Sequence, residues 1–235
     1  MTMKTAIRAA AALLAVAASP MALAQTIAIT GATLAIGDGS EPIQNGTVVI
    51  SAGKVVAAGA GVAVPAGAKT IDASGKWVTP GIVSGFSRVG LAEVPGVKET
   101  NDINARTPFS AAIDVAPAIT PLANPIAISH TAGVTRAVVV PATGNGIFAG
   151  QGAVVDLGAD MDPITKARAF QYVEMGEEGA EDAGGSRPAA YLTFKMMLRE
   201  AQDYARAPAS YDGRSKDALL NRVDAEALVP VVTGA

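Results

Sequence analysis

The chain is organised around the stretch GKWVTPGIVSGFSRVGL, residues 75–91. A polar turn at Gly75 leads into a short strand, then Pro80-Gly81, then an apolar strand that reaches Phe86. Residues before the stretch have the pattern of small β-structure, and residues after it alternate between strands and helices. We therefore predict a boundary between two structural parts at residue 80.

Residues 26–79 consist of short β-prone runs separated by turns. The runs Thr47–Ile50 and Lys54–Ala57 flank Ala52-Gly53, which predicts a β-hairpin. No cluster of titratable side chains falls in this part. We therefore expect residues 25–80 to form a small structural β-sandwich domain beside a catalytic one.

The first 24 residues have the features of a secretory signal peptide. Lys4 and Arg8 precede the apolar run Ala9–Ala18, and the small residues Ala22 and Ala24 flank Leu23 before the predicted cleavage site. The apolar run is shorter than the roughly 20 residues that span a bilayer. We therefore predict cleavage after Ala24 and a periplasmic or secreted protein with no membrane segment afterwards.

Composition excludes several classes of function. The chain has 235 residues, a formal net charge of −3, no cysteine and a single histidine. A nucleic-acid-binding protein is expected to have a basic face, and none is visible. Disulfides and thiolate metal sites are excluded. A metal centre built mainly of histidines cannot be assembled from this chain alone.

The second part is predicted to alternate between strands and helices. Val134–Val140 is a continuous apolar run typical of a buried parallel strand, and Ala153–Leu157 is another short strand. Predicted helices are Ile126–Ala132, Lys166–Met175, Pro188–Ala205 with Ser186 as N-cap, and Asp217–Val231. Predicted loops are Gly176–Gly185 and Ala207–Ser215.

The segment Glu93–Thr107 is polar and irregular, and it follows the first strand of the second part. Its side chains either line a pocket or form a solvated loop, and composition fits both. Gly144, Gly146, Gly150 and Gly152 match neither dinucleotide-binding nor P-loop spacing. We interpret these glycines as tight turns.

Three motifs resemble the N-terminal portion of the amidohydrolase superfamily, in its secreted, imidazolonepropionase-like branch. They are Val78-Thr79-Pro80-Gly81, the A-G-V-T-x-x-x-V-x-P pattern of Ala132–Pro141, and Gly150-Gln151-Gly152. The resemblance implies an α/β fold in which a (β/α)8 TIM-type barrel follows the β-sandwich. Such a barrel has about 250 residues, and about 155 follow Pro80. We therefore expect residues 81–235 to be the first part of an amidohydrolase-like barrel that is truncated here.

The family motif reads V-T-P-G-L-I-D-x-H-x-H, and its two histidines bind a divalent metal such as zinc. Alignment on Val78 places Ser84 at the acidic position, with Phe86 and Arg88 at the two histidines. The resemblance therefore predicts no metal site and no cofactor for this chain. The single histidine, His130, is predicted to be structural, because it lies near a helix end and has no ligand cluster. Arg88, Glu93, Asn101, Asp102 and Gln151 are the candidate pocket-lining residues, and no catalytic residue is identified.

Two hypotheses of function follow. Family resemblance implies hydrolysis of carbon–nitrogen bonds, in non-peptide or peptide-like amides, by a metal-activated water. The alternative is a non-catalytic periplasmic pseudoenzyme, in which Arg88 attracts an anionic ligand or the chain associates with an active amidohydrolase. The expected partners are a second copy of the chain or an amidohydrolase paralogue, together with a small-molecule substrate that the sequence does not identify.

Overall fold

The computed structural model describes residues 25–94, 96–103, 107–144, 146–158 and 161–234. The predicted signal peptide lies outside these residues. The chain divides into two compact units, with the boundary between Pro80 and Gly81. Each unit contains one β-sheet, so the fold is a mixed α/β fold with two sheets.

The first unit is a five-stranded sheet. Its strands are β1 (Ile27–Leu34), β2 (Ile43–Ser51), β3 (Lys54–Gly59), β4 (Lys69–Asp72) and β5 (Trp77–Val78). Strands run in the order β3-β2-β1-β4, and β5 also pairs with β1. The predicted hairpin is confirmed: β2 and β3 are antiparallel, and Ala52 and Gly53 form the turn with positive φ angles of 50° and 73°.

A small apolar core supports this sheet on one side. It contains Ala32, Leu34, Val48 and Ala73, all buried. Alternate residues of a strand point to opposite faces, so this core does not cover every apolar side chain of the sheet. Several large apolar side chains of the unit are exposed, among them Val55, Val56 and Trp77.

The second unit contains a four-stranded mixed sheet in the order β6-β7-β8-β9. Its strands are β6 (Ile82–Ser87), β7 (Val134–Val139), β8 (Phe148–Asp156) and β9 (Ile164–Val173). Strands β6 and β7 are parallel and are joined through helix α1 (Asn124–Thr131), as a βαβ unit requires. Strands β8 and β9 pair in antiparallel fashion. In the described part of the unit, only the β6–β7 pair is parallel.

Two sequence predictions about this sheet were wrong. The segment Lys166–Met175 was predicted to be helical, but residues 164–173 form β9. Its β-prone residues pair with β8 along most of its length, and this pairing decides the conformation. Gly150 and Gly152 were interpreted as turns and lie inside β8. A Cβ on Gly152 would overlap the Phe170 ring, and a Cβ on Gly150 would lie 2.6 Å from the Ile113 carbonyl oxygen.

The remaining helices are α2 (Glu177–Asp182), α3 (Arg187–Arg206), α4 (Arg222–Ala227) and α5 (Val229–Thr233). The predicted start of α3 is confirmed, because Ser186 Oγ accepts a hydrogen bond from the Ala189 amide at 3.3 Å. The prediction of a loop at 176–185 was wrong, since it contains α2. The predicted helix 217–231 begins only at Arg222, after Asn221, whose side chain caps α4. A second short helix follows, with Pro230 in its first turn.

Two apolar clusters hold the second unit together. One lies between the sheet and α1 and includes Leu91, Ile126, Val139 and Val155. The other lies beneath the C-terminal helices and includes Phe148. None of the helices in the described ranges is long and apolar enough to cross a membrane.

Candidate functional site

Phe86 and Arg88, the residues at the two histidine positions of the family motif, lie at the end of strand β6. Both are exposed, and the guanidinium carbon of Arg88 lies 5.9 Å from the centroid of the Phe86 ring. That distance is within the range of a cation–π contact. Ser84, at the acidic position, donates a hydrogen bond from its Oγ to the Phe86 carbonyl oxygen at 3.1 Å.

Strand β9 supplies the other side of this site. The Tyr172 ring is tilted by 60° against the Phe86 ring, and the two centroids are 5.8 Å apart. Tyr172 pairs with Gly150 in the sheet, and Gly152 lies under the neighbouring Phe170 ring. Gly152 thus leaves space above β8 for the Phe170 ring, whereas the missing side chain of Gly150 leaves space for Ile113.

Glu174 completes the group. Its Oε2 accepts a hydrogen bond of 2.8 Å from the Tyr172 hydroxyl, and its Oε1 accepts one of 2.7 Å from the Gly176 amide. The backbone amide of Glu174 donates to the Ile147 carbonyl at 2.8 Å. Main-chain and side-chain bonds therefore fix this carboxylate. We refer to Phe86, Arg88, Tyr172 and Glu174 as the β6-tip group.

The electrostatics of the group keep the phenol protonated. Burial, the hydrogen bond to Glu174 and the negative charge of that carboxylate raise the pKa of Tyr172 to about 12. The positive charge of Arg88 acts in the opposite direction. Arg88 is thus the cation of the group, and its exposed guanidinium can form bidentate hydrogen bonds with a carboxylate or a phosphate.

The candidates Glu93, Asn101 and Asp102 lie together in an exposed loop that is closed on itself. Ala92 and Asn101 form an isolated β-bridge, and the Asp102 amide donates to the Leu91 carbonyl at 2.7 Å. Asn101 Oδ1 accepts a hydrogen bond from the Ile103 amide at 3.0 Å, so it stabilises a turn. Glu93, Asn101 and Asp102 therefore belong to one loop, and none of them is part of the β6-tip group.

Gln151 lies elsewhere in the sheet. It pairs with Gln171 of β9, and the isolated bridge between Asp114 and Gln151 connects it to the preceding loop. Gln171 precedes Tyr172 in a strand, so the two side chains point to opposite faces of the sheet. Gln151 therefore shares a face with Gln171, opposite to that of Tyr172.

His130 is exposed in the last turn of α1. Within the described residues, no group of three or more His, Cys, Asp or Glu side chains is arranged to hold a metal ion. The side chains of Phe86 and Arg88 offer no lone pair to a cation. The two positions that hold histidines in the family motif therefore supply no metal ligand in this chain.

The sequence interpretation missed Tyr172 and Glu174, because it placed them in a helix. The alternation Lys166-Ala167-Arg168-Ala169, followed by β-prone Phe170, Tyr172 and Val173, was the signal that favoured a strand. As a strand, this segment brings Tyr172 to the tip of β6.

Comparisons with known proteins support the family resemblance. An amidohydrolase of Hapsidospora irregularis, tasK, is 28% identical over 160 residues, covering 61% of this chain and 16% of that protein. The crystal structure of an amidohydrolase from Thermotoga maritima MSB8 matches with a TM-score of 0.70 and 22% identity over 86% of this chain and 55% of that one. A molinate hydrolase structure aligns with 30% of this chain and 15% of its own, at 39% identity and a TM-score of 0.27. No family profile matches the sequence.

The described residues therefore have a mixed α/β fold similar to that of an amidohydrolase structure. Together with the sequence match, this supports a relationship between the chain and the amidohydrolase superfamily, as the motifs around Pro80 and Gly150 predicted. The chain spans 16% of its curated relative and 55% of the Thermotoga chain.

Proposed function

We propose that this protein is a hydrolase of the amidohydrolase type that acts on carbon–nitrogen bonds in amides or cyclic amides. The sequence match to an enzyme named amidohydrolase is the observation that carries this proposal. In this proposal, residues 25–80 contribute to a β-sandwich and residues 81–235 to a (β/α)8 barrel. The likeness in fold to the Thermotoga amidohydrolase supports that architecture.

Within this proposal the β6-tip group binds substrate. Arg88 is exposed and positively charged, the Phe86 ring lies beside it, and the Tyr172 ring extends that apolar surface. An amide substrate that carries a carboxylate, such as an N-acyl amino acid, offers a charge to Arg88 and an apolar part to the rings. Glu174 and Tyr172 hold each other in place, so the rings are positioned before the substrate binds.

The test is an assay of the purified protein against N-acyl amino acids, dipeptides and cyclic amides, each with and without added zinc. Product formation is followed by mass spectrometry. We expect turnover of carboxylate-bearing amides, and we expect Arg88→Gln to raise KM about tenfold or more through loss of a charged hydrogen bond. Arg214→Gln, which removes another exposed arginine, is the matched control.

Absence of turnover for every carbon–nitrogen substrate in the panel would contradict the enzymatic proposal. It would favour the second candidate, a non-catalytic protein that binds an anionic ligand at Arg88. The observation behind this candidate is that Phe86 and Arg88 occupy the ligand positions of the family motif with a ring and a cation. Saturable binding of the same N-acyl amino acids without product, lost in Arg88→Gln, would support it.

We also propose a periplasmic or secreted location, on the pattern of charged, apolar and small residues in residues 1–24. The intact mass of the protein from its native host tests this proposal. A mass consistent with Gln25 as the first residue supports it, and retention of Met1 contradicts it. Size-exclusion chromatography with light scattering then tests the proposed association with a second copy or a paralogue.

A further inference from the structure

A second candidate site lies beside strands β8 and β9, and no residue of the β6-tip group lines it. It is a cavity of about 310 Å³ between these strands and the helices α4 and α5. Its volume is at the lower end of the range for small-molecule sites, about 300–1,000 Å³. Its polar and charged lining residues are Gln151, Gln171, Lys166 and Arg168, and its apolar lining residues are Ala169 and Phe170 of β9 with Ala227, Pro230 and Val231 of the helices.

One amide in this cavity wall is unsatisfied. Gln171 Nε2 is buried and has no hydrogen-bond partner among the described residues. A buried donor without a partner costs free energy, and buried amides in proteins are nearly always paired. Gln171 lines the cavity, and the terminal torsion of glutamine is broad, so a small rotation of the amide is enough to turn an N–H toward a ligand there. An acceptor bound there removes this cost.

The strand is distorted where the cations lie. Gly152 pairs with Phe170, and Val154 pairs with Lys166. Between these two pairs, β8 advances by two residues and β9 by four, so β9 contains a bulge. Arg168, inside this bulge, has a φ of 47°, a left-handed conformation that is uncommon for a residue with a side chain. Bulges redirect side chains, and here Lys166 and Arg168 both line the cavity.

The charges define the ligand. Arg168 Nε lies 3.7 Å from Asp114 Oδ2, so this pair is close to neutral. Lys166 makes no ion pair with any described residue. One positive charge therefore remains, and a monoanion balances it better than a dianion does. The apolar wall at Pro230 and Val231 suits a hydrocarbon chain.

We propose that this cavity binds a small monocarboxylate with an apolar tail. The carboxylate accepts a hydrogen bond from the Gln171 amide and forms an ion pair with Lys166. This site does not depend on the β6-tip group or on the enzymatic activity, because none of the four residues of that group lines the cavity.

Calorimetric titration of the full chain with butyrate, acetate and inorganic phosphate tests the proposal. We expect saturable binding of butyrate that is tighter than that of acetate, because of the apolar wall, and tighter than that of phosphate. Lys166→Gln and Gln171→Met should each weaken butyrate binding about tenfold. Lys195→Gln, an exposed lysine on α3, is the control with the same change of charge and should bind as the parent does.

Thermal unfolding of Gln171→Met provides a readout that separates a ligand site from a structural one. Methionine keeps the length of the side chain and removes the unpaired amide, so the proposal predicts unchanged or higher stability without ligand. Lower stability together with unchanged butyrate binding would show that an ordered water satisfies Gln171, and would overturn the proposal. Preference for phosphate over butyrate, or binding that does not saturate, would also overturn it.

Discussion

Two carboxylates of the second unit show how differently this chain uses its acidic side chains. Asp224 in α4 is only 2% exposed. It accepts hydrogen bonds from the Ser110 amide at 3.0 Å and the Ala112 amide at 2.8 Å, and also from the side chain of Asn221. Glu174 is half-buried and accepts from a tyrosine hydroxyl beside an exposed arginine. The first carboxylate fixes a loop to a helix, and the second fixes a ring at a surface that a ligand can reach.

The difference has a physical cause. A charged group leaves water only if hydrogen bonds replace its hydration, and the donors around Asp224 are structural groups that cannot turn toward a ligand. Around Glu174 the charge of Arg88 remains in contact with solvent. We therefore expect substitutions at Asp224 to act on stability and substitutions in the β6-tip group to act on binding.

Asp224→Ala should have the largest effect. It leaves the Ser110 and Ala112 amides without their acceptor, and we expect the free energy of unfolding to fall by about 3 kcal/mol. Urea denaturation followed by circular dichroism measures this change. Asp224→Asn keeps one oxygen acceptor and should lose less, and Asp217→Ala, an exposed carboxylate nearby, should change stability by less than about 0.5 kcal/mol. Equal losses of unfolding free energy in Asp224→Ala and Asp217→Ala would show that the buried carboxylate of Asp224 has no special structural role.

Sequence patterns predicted local features of this unit well. The N-cap at Ser186 and the apolar run that forms β7 depend on neighbouring residues, so they were visible in the sequence. The role of Asp224 was not, because its acceptor contact with Ser110 joins residues 114 positions apart. Tyr172 was missed for a related reason: pairing with β8 determines the conformation of its segment.

The motifs around Pro80 predicted the relationship to amidohydrolases and drew attention to Phe86 and Arg88. They could not identify Tyr172 or Glu174 as neighbours of these residues. The Phe86 ring contacts Tyr172 of β9, and the neighbouring Phe170 ring lies above Gly152 of β8. That arrangement arises only from the register of the two strands.

Gly152→Ala tests whether packing against β8 positions the aromatic side chains of β9. The new methyl group would overlap the Phe170 ring and would lie 2.7 Å from the Val139 carbonyl oxygen. We expect a loss of about 2 kcal/mol in the free energy of unfolding, as in other overpacked sites. Gly146→Ala is the matched control, because nothing lies within 4 Å of the added Cβ. If both variants have the stability of the parent, Phe170 moves freely and does not support its neighbour Tyr172.

The smallest effect concerns the titration of Tyr172. Its pKa is raised from an ordinary 10.0 to about 12, so the folded state holds the phenolic proton more tightly than the unfolded state does. This contribution to stability is complete below pH 10 and is lost as pH rises toward 12. Arg88 lowers the pKa, so Arg88→Gln should shift the titration to still higher pH and Glu174→Gln should shift it lower.

Ultraviolet absorbance of tyrosinate follows these shifts, and Tyr172→Phe identifies the corresponding transition among the four tyrosines of the chain. At neutral pH, Arg88→Gln should change the free energy of unfolding by less than about 0.5 kcal/mol, as expected for an exposed side chain. A titration of Tyr172 that is unchanged in both Arg88→Gln and Glu174→Gln would show that the β6-tip group is not electrostatically coupled. In that case burial alone sets the pKa of Tyr172, and Arg88 acts on a ligand without help from its neighbours.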